Sequence, residues 1–264
     1  MHGGDINQAY LLRSADRSYF VKCNDADCAL DMLSKEGDAL CVIAKHNVIK
    51  VPEVILTGHV DQIAFLVLEY IETKAPTDLF WESFGEQLAS FHRIKQNQFG
   101  WPYNNYIGTL RQSNELHSAW PSFYAQERLE PQLAEARDQG LLSQTDLAYG
   151  QNLIAKIGVI CPDEPPSLLH GDLWSGNFIV ASKDLPVLID PAPYFGHREM
   201  DLAMSLIFGG FDVLFYQTYQ AFFPLHPGFD ERCEIYQLYY LLVHLNLFGT
   251  GYHRQVSAIL KKYG

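Results

Sequence analysis

Three oxygen-bearing side chains stand close together in this chain: Asp172 and Asn177 within LLHGDLWSGNFIV, and Asp190 within VLIDPA. Two carboxylates and an amide are hard oxygen ligands, suited to a magnesium ion whose remaining positions are filled by phosphate oxygens and water. An alcohol attacks a phosphoryl group poorly unless a base orients it and takes its proton as the new bond forms. Asp172 is read in that role, with Asn177 and Asp190 as the metal ligands. Together they would suit phosphoryl transfer from a nucleotide to a hydroxyl.

Stiff elements must hold such groups in place. Leu168 and Leu169 read as the end of a short buried strand, residues 178–180 as the start of a second, and residues 186–189 as a third that delivers Asp190. Gly171 and Gly176, in the turn between the first two, reach backbone conformations that other residues resist. An isolated Gly-Asp pair would be an ordinary turn; the strands, the spacing and the second Asp argue for more. Asp172 and Asn177 are five residues apart, the gap between catalytic Asp and metal-binding Asn in the protein-kinase loop. Asp190 then corresponds to the Asp that opens the kinase metal-binding motif, with Pro191 and Ala192 in place of Phe and Gly.

The amino-terminal part supplies candidates for gripping the nucleotide. Residues 9–14 and 17–23 read as two strands joined by a turn at Ala15-Asp16, with Lys22 inside the second. Residues 28–46 follow as a helix whose apolar stripe of Leu33, Leu40 and Ile43 also carries Glu36. A carboxylate facing a core needs a partner. Lys22 is the candidate, giving the strand-lysine to helix-glutamate pair of kinases; a surface pairing of Glu36 with Lys35 is the blander alternative. Residues 63–70 form an apolar strand that ends in Glu69, Tyr70 and Ile71, placed to read an adenine edge through their backbone. Ahead of the first strand, Gly3, Gly4, Asp5, Ile6 and Asn7 suit a loop folding over phosphates, a weak signal because such nests occur in ordinary turns.

With these residues assembled, the chain resembles the fructosamine kinases, or ketosamine kinases, in segments that run almost end to end. They are GGDINQAYLL, YFVK, KEGDAL, VPEVI, FLVLEY, FGWPYNNYIG, RLEPQLAEARDQG, HGDLWSGN, LIDPAPYFGHREMDLAM and YHRQVSAILKKYG. HGDLWSGN, with Trp174 inside it, is the most discriminating, since related small-molecule kinases commonly carry other residues there. The resemblance implies a bilobal protein-kinase-like fold of the α+β class, shared with aminoglycoside and choline kinases: a small antiparallel-sheet lobe with one helix, and a larger, mainly helical lobe. It implies residues 1–73 as the nucleotide-binding lobe and 74–264 as the catalytic and substrate lobe. The activity implied is ATP- and magnesium-dependent phosphorylation of a ketosamine on its 3-hydroxyl, the sugar being attached to a small amine or to a lysine of a glycated protein, after which the adduct falls apart. Family members carry a further strand ahead of the glycine-containing loop, whereas Met1-His2 here precede Gly3 directly. A loop tied down on one side only should clamp phosphate poorly, so the expectation is either a native start further upstream or weak ATP binding.

Trp174, inside the catalytic turn, is read as a stacking surface for the sugar or its amine-bearing arm. Tyr194 and His197, which follow Asp190, are read as shaping the acceptor side. Asp201 resembles the family's buried Asp that holds the catalytic loop, and is otherwise an ordinary first-turn Asp of a helix. Trp101, Tyr103 and Tyr106 line a sugar pocket or staple their loop to the lobe. Helices are expected over residues 77–95, 118–139, 144–160 and 235–248, with His92 as a packing residue.

A chain of 264 residues, 48% hydrophobic, can bury a full core. Its net charge of −12 argues against nucleic acid or anionic membrane as partner. Five cysteines without a CxxC pair fit a reducing, cytoplasmic setting, and no histidine pair has zinc spacing. Residues 235–248 are too short to span a bilayer. Two other readings stay open: another kinase of the aminoglycoside or choline type, and a pseudokinase scaffold.

Overall fold

The computed structural model describes residues 7–264, so Gly3, Gly4, Asp5 and Ile6 of the expected phosphate loop lie outside the described residues. In chain order the elements begin β1 (Gln8–Arg13), β2 (Ser18–Asn24), α1 (Ala29–His46), β3 (Val54–Val60), β4 (Ile63–Glu69) and α2 (Asp78–Phe91). There follow β5 (Asn105–Ile107), β6 (Leu110–Gln112), α3 (Trp120–Phe123), a π-helical turn (Tyr124–Leu129), α4 (Glu130–Asp138), α5 (Gln144–Ile160) and β7 (Ser167–Leu169). The chain closes with β8 (Phe178–Ala181), β9 (Leu185–Leu188), β10 (Tyr194–Gly196), α6 (Glu199–Ser205), α7 (Val213–Phe222), α8 (Phe229–Phe248) and α9 (His253–Tyr263).

Contacts divide these elements into two compact units. The first comprises Met1–Phe91, Ser175–Ala192 and Phe211–Phe223; the second comprises His92–Trp174, Pro193–Gly210 and Pro224–Gly264.

In the first unit, four antiparallel strands form a sheet in the order β1-β2-β4-β3. Helix α1 buries Leu33, Leu40 and Ile43 while Ala64, Leu66 and Leu68 of β4 are buried alike, the alternation expected of a strand with one covered face. Lys22 pairs across the strands with Leu66, so it shares that covered face. Helix α2 starts at Thr77, whose hydroxyl accepts the Phe80 amide N–H at 3.3 Å, and packs Phe80 and Phe84 against Phe178 of the β8–β9 hairpin. Gly85 lets α7 approach: a Cβ there would stand 2.5 Å from the Phe215 carbonyl oxygen. β3 escaped the sequence reading because its apolar residues make a half-buried strand only when β4 lies beside them.

The second unit is mainly helical, built around α8, whose Ile235, Tyr236, Leu238, Tyr239 and Leu242 are all buried. The expected continuous helix over residues 118–139 is interrupted by the π-helical turn. Pro131 is the cause. In a regular helix its ring would clash with the carbonyl four residues back, that of Glu127. The wider turn bonds the Glu130 amide to Ala125 instead and leaves the Glu127 carbonyl to accept from Arg128 Nη1 at 2.9 Å. In the FGWPYNNYIG segment and just beyond it, Asn105–Ile107 pairs with Leu110–Gln112 around Gly108 at φ 58°. Trp101 is buried and stacked on Phe195 at 5.9 Å, so this ring staples the loop. Among the described residues no helix is long and apolar enough to cross a membrane.

Candidate active site

The β8–β9 hairpin of the first unit brings the backbone of two candidate residues to its open end. Phe178 pairs with Leu188, and one step further the Ile189 amide donates to the Asn177 carbonyl at 3.1 Å. Asn177 therefore opens the hairpin and Asp190 leaves it. Asp190 sits at φ 55°, a left-handed conformation that costs a non-glycine residue energy and concentrates at functional sites. Its carboxylate accepts from Lys22 Nζ at 2.5 Å, and Lys22 also donates to Glu36 at 2.7 Å. Lys35 takes Asp31 instead, at 3.3 Å.

Lys22 is thus a buried cation between two acids. Burial would push its ammonium down, but the charges of Asp190 and Glu36 outweigh that and hold it well above its ordinary value. Burial pushes the Glu36 carboxyl up, against the pull of Lys22. The Asp190 side chain keeps 38% of its surface exposed, so it can still meet a ligand from its open side.

Other sequence candidates of this unit lie around the sheet. Asn7 Oδ1 accepts from Asn24 Nδ2 at 2.8 Å. The Glu69 carboxylate takes Lys50 at 2.9 Å and its amide donates to the Glu53 carbonyl, while Tyr70 and Ile71 follow β4 half-buried.

In the second unit, Asp172 lies in the turn after β7. That turn hangs from one carboxylate: Asp201 Oδ2 accepts the His170 amide at 2.7 Å and Oδ1 the Gly171 amide at 2.9 Å. Gly171 has φ 85°, which keeps the second amide aimed at Asp201. The Asp172 amide donates to His170 Nδ1 at 3.2 Å. His92 Nε2 lies 3.1 Å from Asp201 Oδ2. Burial pushes the His92 imidazolium down, more than Asp201 pulls it up, so the neutral ring donates to the carboxylate. Read from the sequence as a packing residue, His92 also makes this hydrogen bond; a polar residue on the buried stripe of a helix was the available signal. Trp174 is half-buried and meets Phe208 edge-on at 5.7 Å.

Tyr194 and His197, read from the sequence as acceptor-side groups, both lie in the core with no exposed surface. Tyr194 is stacked on Phe123 at 5.5 Å, with the Arg128 guanidinium 3.9 Å from its ring centre. Burial pushes its phenol up to about 12. His197 stacks on Tyr236 at 5.3 Å, and burial pushes its imidazolium down to about 3. An aromatic and a histidine after a functional Asp fit packing as well as they fit binding; α8 and the π-helical turn supply the partners that the sequence order hides.

This burial has a measurable consequence. The folded pKa of His197 lies below its unfolded value of about 6.5, so its contribution to stability is complete above that pH and is lost as pH falls toward 3. In urea titrations, His197→Gln is expected to flatten the acid-side loss of stability by up to ~1.4 kcal/mol per pH unit below about pH 6. Parallel curves for variant and wild type would refute this.

Among the described residues no three of His, Cys, Asp and Glu gather into a metal cluster. The oxygen donors that the hairpin offers are the Asn177 amide and the Asp190 carboxylate, leaving nucleotide oxygens and water as the other ligands of a divalent ion. That donor set fits magnesium, which takes few protein ligands when phosphates are present.

Comparison with known proteins places this geometry in context. The model of the fructosamine kinase family matches residues 1–263. A probable ketoamine kinase of Vibrio parahaemolyticus is 38% identical over 266 residues, covering 99% of this chain and 90% of that protein. A crystal structure of a Haemophilus somnus protein assigned as a fructosamine-3-kinase superposes with a TM-score of 0.90 at 30% identity, covering 100% of this chain and 89% of that one. The aminoglycoside phosphotransferase APH(4)-Ia, in a thermostable mutant form, gives a TM-score of 0.62 at 15% identity over 99% of this chain and 93% of its own, a likeness of fold alone. The fold is protein-kinase-like.

Proposed function

We propose, because this chain belongs to the fructosamine kinase family, that it transfers the γ-phosphoryl group of ATP to the 3-hydroxyl of a ketosamine. It is an ATP-dependent phosphotransferase acting on a hydroxyl group, and a ketosamine kinase by family. The observation that carries the reading is Lys22 held between Glu36 and Asp190 at 2.7 and 2.5 Å. A kinase needs its phosphate-binding lysine oriented by a helix glutamate and its metal-binding aspartate in place together.

Each residue then has a task. Asp172 orients the acceptor hydroxyl and takes its proton as the oxygen–phosphorus bond forms, while the bond to the ADP oxygen breaks and ADP leaves. Lys22 steadies the nucleotide phosphates. Asn177 and Asp190 would hold magnesium, which when bound offsets negative charge on the phosphate oxygens. Gly3, Gly4, Asp5, Ile6 and Asn7 are proposed to cover the phosphates, and the backbone of Glu69, Tyr70 and Ile71 to take the adenine. Residues 1–73 would form the nucleotide-binding lobe, and 74–264 the catalytic and substrate lobe that also brings the metal ligands.

The 3-phosphate is a better leaving group than the hydroxyl it replaces: loss of a C1 proton forms the enaminol, inorganic phosphate leaves C3, and water hydrolyses the resulting imine to free the amine and a 3-deoxy dicarbonyl sugar. The biological outcome is deglycation of small amines or of protein lysines. A cytoplasmic setting agrees with the free thiols of Cys23, Cys28, Cys41, Cys161 and Cys233.

The test is a direct product assay. Protein, ATP and magnesium are incubated separately with synthetic ribuloselysine, fructoselysine, an aminoglycoside and choline, and products are followed by mass spectrometry. Phosphorylated ketosamine followed by free lysine is expected. Phosphate on the aminoglycoside or choline alone would replace this reading with its nearest rival, and no nucleotide binding at millimolar magnesium-ATP would favour a scaffold.

A further inference from the structure

The rings of Trp174, Phe208, His244, Phe248 and Tyr252 form a continuous strip on the unit that carries Asp172. Phe208 lies 5.7 Å from Trp174 and 5.0 Å from His244, and His244 lies 5.6 Å from Phe248 and 5.2 Å from Tyr252. The strip is not core: Phe208 is 36% exposed and Phe248 51%, and the other three rings are half-buried. Open space runs along it, because a Cβ built on Gly209, Gly249 or Gly251 would meet nothing within 4 Å.

His244 is the polar member. Its Nδ1 donates to the Tyr240 carbonyl one helical turn back at 2.7 Å, which fixes the tautomer and leaves Nε2 as the acceptor. Burial pushes its imidazolium down, so the ring sits neutral in the strip and does not repel a cation.

We propose that this strip binds the amine-bearing arm of the acceptor, the aliphatic side chain of a lysine and the peptide that carries it. The proposal rests on the ketosamine kinase reading and extends it to the part of the substrate that is not sugar. If the reacting hydroxyl lies at Asp172, the group attached to the sugar must leave nearby. Trp174, two residues on, begins the strip. A protonated secondary amine is attracted to ring faces, and its alkyl chain gains by covering exposed aromatic surface. Three ring-to-ring steps of 5.0 to 5.7 Å match a lysyl side chain followed by one or two residues of extended peptide, at ~3.5 Å each. The net charge of −12 favours such a cationic arm.

The experiment uses Phe208→Ala and Phe248→Ala in the full chain, both at exposed positions whose truncation leaves the fold standing. Initial rates are measured with two ketosamines of the same sugar, one on methylamine and one on a lysine within a hexapeptide. Loss of binding shared by ground and transition states appears in KM with kcat unchanged. KM for the peptide adduct is expected to rise about tenfold in Phe208→Ala and about threefold in Phe248→Ala, while the methylamine adduct shifts by less than about twofold. Equal losses on both substrates would make the strip merely structural, and no loss on either would also overturn the proposal. Wild-type protein that phosphorylates neither adduct would overturn the ketosamine reading itself, and the unmutated control distinguishes that failure from the others.

Discussion

Asp172→Ala is expected to lower kcat by about 10²–10⁴-fold, the range for a lost general base, while magnesium-ATP binds nearly as it does to wild type. The two outcomes separate because backbone bonds, which no substitution at position 172 removes, hold the turn. The His170 and Gly171 amides hang from Asp201, and the Asp172 amide itself is bound to His170. An alanine keeps all three of these backbone bonds. Asp190→Ala should behave differently, since its carboxylate is assigned to the metal and also holds Lys22. Nucleotide binding in that variant should weaken most when magnesium is present. Single-turnover kinetics and isothermal titration with and without magnesium check both, and equal binding losses in the two variants would undo the division of roles.

Lys22→Met is expected to cost both activity and stability. It leaves Glu36 and Asp190 facing each other with no cation between them, and removal of one partner from a buried ion pair typically costs ~3–5 kcal/mol. The discount for the exposed side of Asp190 puts the expectation at the lower end. KM for ATP should rise together with a fall in kcat. The pH dependence identifies the cause. Burial already pushes the Glu36 carboxyl up against the pull of Lys22, so without Lys22 it rises further above its unfolded value, and stability present at low pH is lost as pH rises through that range. The deficit against wild type should therefore shrink on acidification from pH 7 toward 5, as read by urea midpoints. A constant deficit would mean that lost packing, not uncompensated charge, is responsible.

The candidate site was legible where neighbours in sequence make it. Asn177 and Asp190 flank a short hairpin, so apolar runs and glycines were enough to bring them together. Glu36 on an otherwise apolar stripe of α1 asked for a partner, and Lys22 was the cation inside a strand. The contact of Lys22 with Asp190 is different: 168 residues separate them, and no local pattern records which strand end meets which. The interruption before α4 follows from Pro131, whose backbone clash was present in the sequence but was outweighed by helical periodicity around it. Tyr194 and His197 were misplaced because their burial depends on rings from elsewhere in the chain, Phe123 and Tyr236. Type and spacing show which residues a hairpin or a turn brings together; they say little about which aromatic residues end up covered.

The chain passes from one unit to the other at Phe91, at Trp174, at Ala192 and again at Gly210 and Phe223, so neither unit is a single stretch of sequence. During synthesis the segment through Phe91 leaves the ribosome with Phe80 and Phe84 of α2 unmatched, because Phe178, Phe211 and Phe215 are still to be translated. The sheet and α1 can pack on their own residues, but the aromatic cluster around α2 must wait until Phe215 has been made. Until then the nascent chain displays a sticky helix face, the kind of surface that holding chaperones bind.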